Sequence, residues 1–266
     1  VSFPENPSPL YGKVFQFSQP NGQRNELCFK LNNPITLSDK TDSDYAEISY
    51  DMSNSSKTRT GNMWLRDGRN ANVVINATID KNGTAAVGGK TVATGAKGMH
   101  NIRIQLNLGS KKITRVWFDG VLSDAVSDIA FTNQKDINYI QFGFGRKSDS
   151  DSVMQFDNVS IVTYRSEDGT SPIADRAALR AKIGDAVALA ANPPETATEE
   201  QIAALNTAIN AAAAAHRNIT AAQTDIDAAL ENLQSAMDEC GKLPPREDSP
   251  FSLYEGFDDG PDGDFA

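Results

Sequence analysis

The sequence predicts an antiparallel β-sandwich, followed by a small bundle of three helices and a C-terminal strand that stands apart from both. Apolar residues recur at every second position between residues 10 and 164, which is the period of a half-buried strand. After "RSEDGTSP" the composition changes to Ala, Glu and Gln with helical spacing. A strand-like segment, "FSLYEGF", then follows the linker "KLPPREDSP". The predicted fold class is therefore an all-β sandwich plus an all-α bundle.

The sandwich is predicted from many short alternating segments. In "HNIRIQLNLG" the side chains of Ile102, Ile104, Leu106 and Leu108 share one face, and polar residues occupy the other. The segment "YAEISYDM" repeats this pattern. So many short strands without helices between them indicate two packed antiparallel sheets. The other strand segments are "KVFQF", "ELCFKL", "NVVINATI", "ITRVWFDG", "NYIQFGFG" and "MQFDNVSIVTY".

Three helices are predicted in the following region. The first covers 173–191 and is ended by "NPP", the second opens at Thr198 and the third at Thr220. Thr198 with Gln201, and Thr220 with Gln223, match the capping box that satisfies free amides at a helix start. The third helix has an apolar stripe that would face the other two. The stripe comprises Ile219, Ile226, Leu230, Leu233 and Met237.

Charge and composition exclude several classes of partner. The formal net charge is -10, whereas nucleic acids and anionic membranes require basic patches on the protein that binds them. No apolar run approaches the roughly 20 residues of a membrane span. We therefore expect neither nucleic-acid binding nor membrane insertion.

The residues that usually carry catalysis are scarce. The chain has two histidines: His100 begins a strand, and His216 ends the second helix, where it complements the helix dipole. Cys28 lies in an alternating strand without a basic neighbour that would activate its thiol. Acidic runs such as "KSDSDSV" have the composition of solvated loops. We therefore expect that the chain is not an enzyme.

Two segments resemble known families. "MHNIRIQLNLGSKKITRVWFDGVL", followed by "MQFDNVSIV", resembles the concanavalin-like or laminin-G-like jelly rolls of bacterial extracellular proteins. Residues 171–243, particularly "TDIDAALENLQSAM", look like the FIVAR module of Gram-positive surface proteins and glycan-active enzymes. These resemblances imply a bacterial extracellular or cell-surface location and make sugar binding a hypothesis. Trp64 and Trp117 could stack on a sugar ring, although each also lies in a strand where a core or edge position is an alternative.

The chain is accordingly divided into three parts. Residues 1–165 form a jelly-roll sandwich that lacks its own first strand, 171–243 form the FIVAR-like bundle, and 244–266 form a linker and a strand. A single strand cannot satisfy its own backbone groups, so it must pair with a sheet. Three of its residues, Phe251, Leu253 and Phe257, would contribute roughly 1.5 to 3 kcal/mol each on burial.

The C-terminal segment resembles the start of a jelly roll when it is joined to the N-terminus. Alternation continues across the join, with Phe265, Val1 and Phe3 on one face. The sequence thus predicts that the tail completes the sandwich of the next copy, head to tail, in an extracellular filament or adhesin. The tail could instead fold into its own sandwich. Separate subunits and one excised tandem repeat both remain open, as does the alternative function of a glycan-binding accessory module.

Two further features are expected at this junction. A disulfide between Cys240 and Cys28 could connect one unit to the next, while an intramolecular bond and two free thiols are equally compatible with the sequence. A structural Ca²⁺ ion is implied by similarity to carbohydrate-binding jelly rolls, which use an acidic residue near the first strand and an Asp in the last. The alternative is that these acidic residues form solvated turns. The candidate ligands are Asp157, Glu255, Asp258 and Asp259.

Overall fold

The molecule is a two-sheet β-sandwich with three helices. The computed structural model describes Ser2, Pro4 and residues 8–11, 13–19, 26–145 and 152–242. Within these ranges the strands form two antiparallel sheets, and the helices follow the last strand. The predicted combination of a β-sandwich with three helices is confirmed. The FIVAR-like identity of the helices and the donated strand are not confirmed, and residues 243–266 lie outside the described part.

Among the described residues, the first sheet has seven strands. They are β1 (Phe15–Gln19), β3 (Asp44–Asn54), β8 (His100–Asn107), β9 (Lys112–Phe118), β10 (Val121–Leu122), β11 (Ile129–Ala130) and β13 (Ser152–Arg165). Their order is β1-β13-β3-β8-β9-β10, and β11 pairs with β9. The central strands are therefore β13, β3 and β8, which are the longest strands of this sheet.

The second sheet has six strands in the part of the chain that the structure describes. They are β2 (Glu26–Ile35), β4 (Gly61–Arg66), β5 (Val73–Ile79), β6 (Ala85–Val87), β7 (Lys90–Ala93) and β12 (Ile137–Gly143). Their order is β2-β12-β4-β5-β6-β7. Strands β4 and β12 lie near the centre and carry much of this sheet's contribution to the core.

The hydrophobic core lies between the two sheets. Alternation in β3 buries Ile48 and Tyr50 completely, and the paired Ile104 of β8 is equally buried. Across the gap, the Phe142 ring of β12 lies edge-on to Tyr50 at 5.7 Å between centroids, and it stacks on Phe156 of β13 at 4.2 Å. The period-two pattern thus identifies the core face of the central strands.

The three helices share a second core. They are α1 (Ala177–Ala191), α2 (Glu199–Arg217) and α3 (Gln223–Glu239). The N-terminal residues Leu10, Tyr11 and Val14 also join this core, although the sequence assigned them to the sandwich. The large apolar side chains of the helices that are buried in this core are Leu179, Ile183, Leu205, Ile209, Ile226 and Leu233.

Helix α2 begins as predicted, with the reciprocal capping box of Thr198 and Gln201. The Thr198 hydroxyl accepts a hydrogen bond from the Gln201 amide at 3.3 Å, and Gln201 Oε1 accepts from the Thr198 amide at 3.1 Å. Helix α1, in contrast, begins at Ala177 rather than at Ile173. Asp175, one residue before the N-cap Arg176, accepts the Ala177 amide through Oδ1 at 2.9 Å and so satisfies one of the free amides at the helix start.

The predicted start of the third helix is also wrong. Helix α3 begins after Ala222, whose amide donates to the Asp225 carboxylate at 3.1 Å. Gln223 does not cap Thr220, because its side chain bonds both backbone groups of Asp175 instead. The predicted stripe residue Ile219 precedes the helix and is 42% exposed. A contact between distant segments therefore replaces the local motif.

No helix among the described residues combines the length and the apolar character that a membrane crossing requires.

Candidate functional site

A polar and aromatic row crosses the outer face of the second sheet. Cys28 of β2, Gln141 of β12, Trp64 of β4 and Asn76 of β5 are register partners in that order. Their neighbours along each strand point into the core, so this row points away from it. We call these four residues, with the adjacent Asn62, the Trp64 face.

Two amide oxygens of the Trp64 face are buried without a partner. Gln141 Nε2 donates to Glu26 Oε2 at 2.5 Å, but Gln141 Oε1 has no hydrogen-bond partner among the described residues. The same holds for Asn76 Oδ1 within the described ranges. A buried acceptor without a donor costs about 1–3 kcal/mol. These two atoms are therefore the groups on this face that would gain most from a hydrogen-bond donor.

Two depressions flank the row. One has a volume of about 460 Å³ and lies against Cys28 and Gln141, with Arg69 at its edge. The other has a volume of about 340 Å³ and lies against Trp64 and Asn62. Trp64 itself is only 7% exposed, and the Arg66 guanidinium lies 5.0 Å from the centre of its ring. Trp64 and Gln141 are thus buried, and Asn62 and Asn76 are the half-buried amides of this face.

Trp117 lies on the opposite sheet, so the structure does not bring the two tryptophans together. It is half-buried in β9, and the guanidinium of Arg103 stacks on its ring at 3.9 Å from the centroid. Stacking of a sugar on either indole stays a prediction. In both rings one face is already in contact with an arginine.

The outer face of the first sheet carries a second polar cluster, which contacts the helices. Arg180 of α1 lies 3.2 Å from Asp119 and 3.5 Å from Asp51, and it also donates to the Tyr11 hydroxyl. Asp51 is 1% exposed. Burial raises the pKa of Asp51 above its ordinary value, against the opposing charge of Arg180. Arg180 therefore compensates a buried carboxylate of the sandwich.

Amide groups complete the environment of Asp51. Asn158 Nδ2 donates to it at 2.6 Å and Asn101 Nδ2 at 3.1 Å. The Asp119 carboxylate accepts from the Asn101 backbone at 2.8 Å and contacts His100 Nδ1 at 2.7 Å. Burial would raise the pKa of Asp119, but the His100 hydrogen bond and the Arg180 charge outweigh it and lower that pKa. His100 therefore supports the β9–β10 turn that holds Asp119.

A neighbouring ion pair is also buried. Arg103 Nε lies 3.1 Å from Oε2 of Glu47, which is fully buried. The Tyr164 hydroxyl donates to Glu47 Oε1 at 2.9 Å, and Gln105 Nε2 donates to Tyr164 at 2.8 Å. Gln105 also donates to the Gly169 carbonyl at 2.8 Å. These contacts attach the segment after β13 to the sheet.

His216 is neutral in the folded chain, rather than the charged partner of the helix dipole that the sequence predicted. Burial, and then the positive charges of Arg180 and Arg176, lower the pKa of His216 to about 3. Its Nδ1 has no hydrogen-bond partner in the part of the chain that the structure describes.

The predicted calcium site remains a prediction. Asp157 lies in β13, beside Asp51 in the register with β3, and burial raises its pKa. Within the described ranges, no group of three or more His, Cys, Asp or Glu residues is arranged to hold a metal ion. The other candidate ligands, Glu255, Asp258 and Asp259, lie outside the described residues.

The predicted subunit contacts also lie outside the described residues. They are Phe251, Leu253, Phe257, Phe265, Val1 and Phe3. Cys28 and Cys240 are described, and both are free thiols in this chain. Cys28 is half-buried in the second sheet, while Cys240 is buried at the end of α3. A disulfide between two units stays a prediction.

Sequence reasoning missed the cluster around Arg180. Alternation places Glu47 and Asp51 on the outer face of β3, a position that normally meets solvent. Asp51 contacts a helix more than a hundred residues away, whereas Glu47 contacts side chains of β8 and β13. The sequence signal that could have indicated this cluster is the number of polar residues on the outer faces of β3 and β8, which include Asn101 and Gln105.

Comparison with known proteins gives likeness of structure but no family. No family model matches the sequence, and no curated protein matches it. Similar solved structures include one titled "Sialidase", at 11% identity and a TM-score of 0.44, over 73% of this chain and 19% of that chain. Alginate lyase AlgAT5 from Polysaccharide Lyase family 7 matches at 12% identity and a TM-score of 0.42, over 57% of this chain and 79% of its own. An alginate lyase from Corynebacterium sp. matches at 12% identity and a TM-score of 0.43, over 61% of this chain and 81% of its own.

These comparisons contradict the expectation that the chain is not an enzyme. The similar structures named above are a sialidase and two alginate lyases, which are enzymes, so the scarcity of histidine and activated cysteine was an insufficient reason to exclude catalysis. We withdraw that expectation. At these identities and TM-scores, the likeness assigns no activity to this chain.

Proposed function

We propose that this chain is a glycan-binding module of a bacterial secreted or cell-surface protein, with the Trp64 face as its binding surface. The observation that carries the proposal is the row of Cys28, Gln141, Trp64 and Asn76 across four strands. Sugars present hydroxyl donors and apolar ring faces, and amide side chains beside an aromatic residue complement both.

The unpartnered amide oxygens support this assignment. Gln141 Oε1 and Asn76 Oδ1 are buried acceptors that lack donors among the described residues, and a sugar hydroxyl group that reached them would supply a donor. The half-buried Asn62 donates to the Thr60 carbonyl at 2.8 Å, which holds its amide in a fixed orientation. A rigid sheet that presents oriented amides reduces the entropy lost on binding.

A glycan array probed with the full chain tests the proposal, followed by calorimetric titration of the sugars that bind. Asn76→Ala and Asn62→Ala are each expected to weaken binding about three- to tenfold, since each removes one hydrogen-bonding group. Asn210→Ala is the matched control, because Asn210 is an exposed residue of α2. An array without bound sugars, or equal affinity for all three variants, would refute the assignment.

Head-to-tail assembly is the second candidate. It is supported by the position of β1 at the edge of the first sheet. Ser2 of the same chain already pairs with Gln16 on the outer side, so a donated strand would have to displace this bridge or extend beyond it. Such an edge can accept another strand. Deletion of residues 249–266 should abolish fibres seen by negative-stain microscopy. Fibres that persist in the truncated chain would show that the tail is not the connector.

A further inference from the structure

We propose that a cavity between the first sheet and the helices binds a small oxyanion, such as a carboxylate, sulfate or phosphate group, through Arg176, Arg103 and His216. This junction cavity is defined by those three residues together with Trp117 and Arg180. It lies on the opposite side of the sandwich from the Trp64 face. The proposal is therefore independent of the function proposed above.

The cavity has the size of a small polyatomic ion. Its volume is about 60 Å³, which exceeds the roughly 10–15 Å³ that a cavity needs to hold one water molecule. Trp117 and Arg103 form the wall on the sheet side, and Arg176 and Arg180 line the side of the helices. A group of four or five heavy atoms fits this description better than an extended ligand.

Positive charge at the cavity is only partly compensated. Arg103 is paired with Glu47, and Arg180 is paired with Asp119 and Asp51. Arg176 has no ion pair among the described residues, and it donates instead to the Asn218 carbonyl at 2.8 Å. Its Nε is buried and has no partner within those ranges.

Arg176 is in an unfavourable electrostatic position without an anion. Burial, together with the nearby charge of Arg103, lowers the pKa of Arg176. Two guanidinium groups that approach each other repel unless a negative charge lies between them. An oxyanion in the cavity would provide that charge and would accept the free Nε–H group of Arg176.

His216 adds a directional donor. It is 9% exposed, lines the cavity, and has an Nδ1 without a partner in the described chain. In the tautomer with hydrogen on Nδ1, the neutral ring donates to an anion, as a buried imidazole can without being charged. The unpartnered nitrogen is thus explained by the same ligand that Arg176 requires.

The start of α1 faces the same space. Ala177 lines the cavity, so the positive end of the helix dipole reinforces the arginines. Asp175 is the one carboxylate among the lining residues of the described chain, but it is exposed and its Oδ1 accepts the Ala177 amide. The Asp119-Gly120 turn closes the other side, where a Cβ on Gly120 would lie 2.2 Å from the Ala177 Cβ.

The two histidines permit a direct test by NMR. The chain is titrated with sodium acetate, sulfate or phosphate at constant ionic strength, maintained with sodium chloride, while the imidazole resonances of His216 and His100 are followed. A saturable shift of His216, with His100 unchanged, is the expected result. Arg176→Gln should weaken the apparent affinity about tenfold or more, because it removes a charged donor.

Arg217→Gln is the control for general electrostatics. Arg217 also acts on the charge of His216, but it is not among the residues that line the cavity. This variant should bind within about twofold of the unmodified chain, and Arg176→Lys should retain part of the affinity. An unchanged melting temperature would show that Arg176→Gln remains folded. If Arg176→Gln does not fold, the affinity of Arg176→Lys is compared with that of the unmodified chain.

Three results would overturn the proposal. The first is a His216 resonance that does not move with any of the three anions. The second is an equal shift with chloride alone, which would indicate ionic strength rather than a site. The third is equal affinity in Arg176→Gln and Arg217→Gln. Differences between acetate, sulfate and phosphate would identify the preferred oxyanion.

Discussion

Acidification should destabilise this protein through His216. The pKa of this residue is about 3 in the folded chain, because of burial and then the charges of Arg180 and Arg176, and its ordinary value is 6.5. Between these values the unfolded chain binds a proton that the folded chain does not. The free energy of unfolding therefore decreases as the pH falls from 6.5 toward 3.

The size of the effect follows from the width of this window. One unit of pH corresponds to about 1.4 kcal/mol for a single group that is protonated only in the unfolded state. A change from pH 6.5 to pH 4.5 should therefore cost at most about 2.7 kcal/mol. The free energy of unfolding of a domain is typically about 5–15 kcal/mol. The expected loss is therefore about half of the lower bound of that range.

Urea unfolding followed by circular dichroism measures the effect at the two pH values. The useful quantity is the difference between the unmodified chain and His216→Gln, since all other titrating groups are common to both. Asp51 acts in the opposite direction: burial raises its pKa, so acidification stabilises the folded state through this carboxyl group. The same loss of stability in both chains would refute the assignment to His216.

Three other predictions concern the contact between the first sheet and α1, the helical core and the calcium site. Arg180→Met should cost about 3–5 kcal/mol in urea unfolding, because it leaves the buried Asp51 without its ion pair, and adding Asp51→Asn should recover part of that loss. Leu233→Ala should cost about 2–5 kcal/mol, whereas the exposed Glu231→Ala should change stability by at most about 0.5 kcal/mol. If Asp157 and the tail carboxylates bind Ca²⁺, chelation should lower the melting temperature and added calcium should restore it; an unchanged melting temperature without bound metal would end that proposal.

Period-two alternation was sufficient to predict the interior of the sandwich. In β8, Ile102 and Ile104 are fully buried, and Arg103 between them points outward, as the pattern required. The short strands β6, β7, β10 and β11 have two to four residues each, too few for a period to be recognised. Their positions depend on the turns between them.

The helix boundaries show where local motifs fail. The capping box at Thr198 formed even though the Gln201 side chain also bonds the backbone that follows α3. The equivalent pair at Thr220 did not form, because Gln223 bonds the backbone of Asp175, 48 residues away. A spacing rule contains no information about such a competing partner.

The Trp64 face was predictable only in part. Trp64 was identified from its residue type, but the sequence does not show which strands are neighbours in a sheet. Gln141 lies beside Trp64 because β12 pairs with β4, although 77 residues separate them in the chain. The row therefore depends on strand order, which alternation does not determine.

The polar outer face of the first sheet connects the stability of the two parts of the molecule. Asp51 is stabilised by Arg180 of α1, and the Gly169 carbonyl after β13 accepts hydrogen bonds from both Gln105 and Arg115. Tyr11, which precedes β1, packs with the helices, and its hydroxyl donates to the Met99 carbonyl at 3.2 Å. Separation of the helices from the sheet would leave these groups without their partners, and apolar residues before β1 would become exposed. We infer that the sandwich and the helices unfold together.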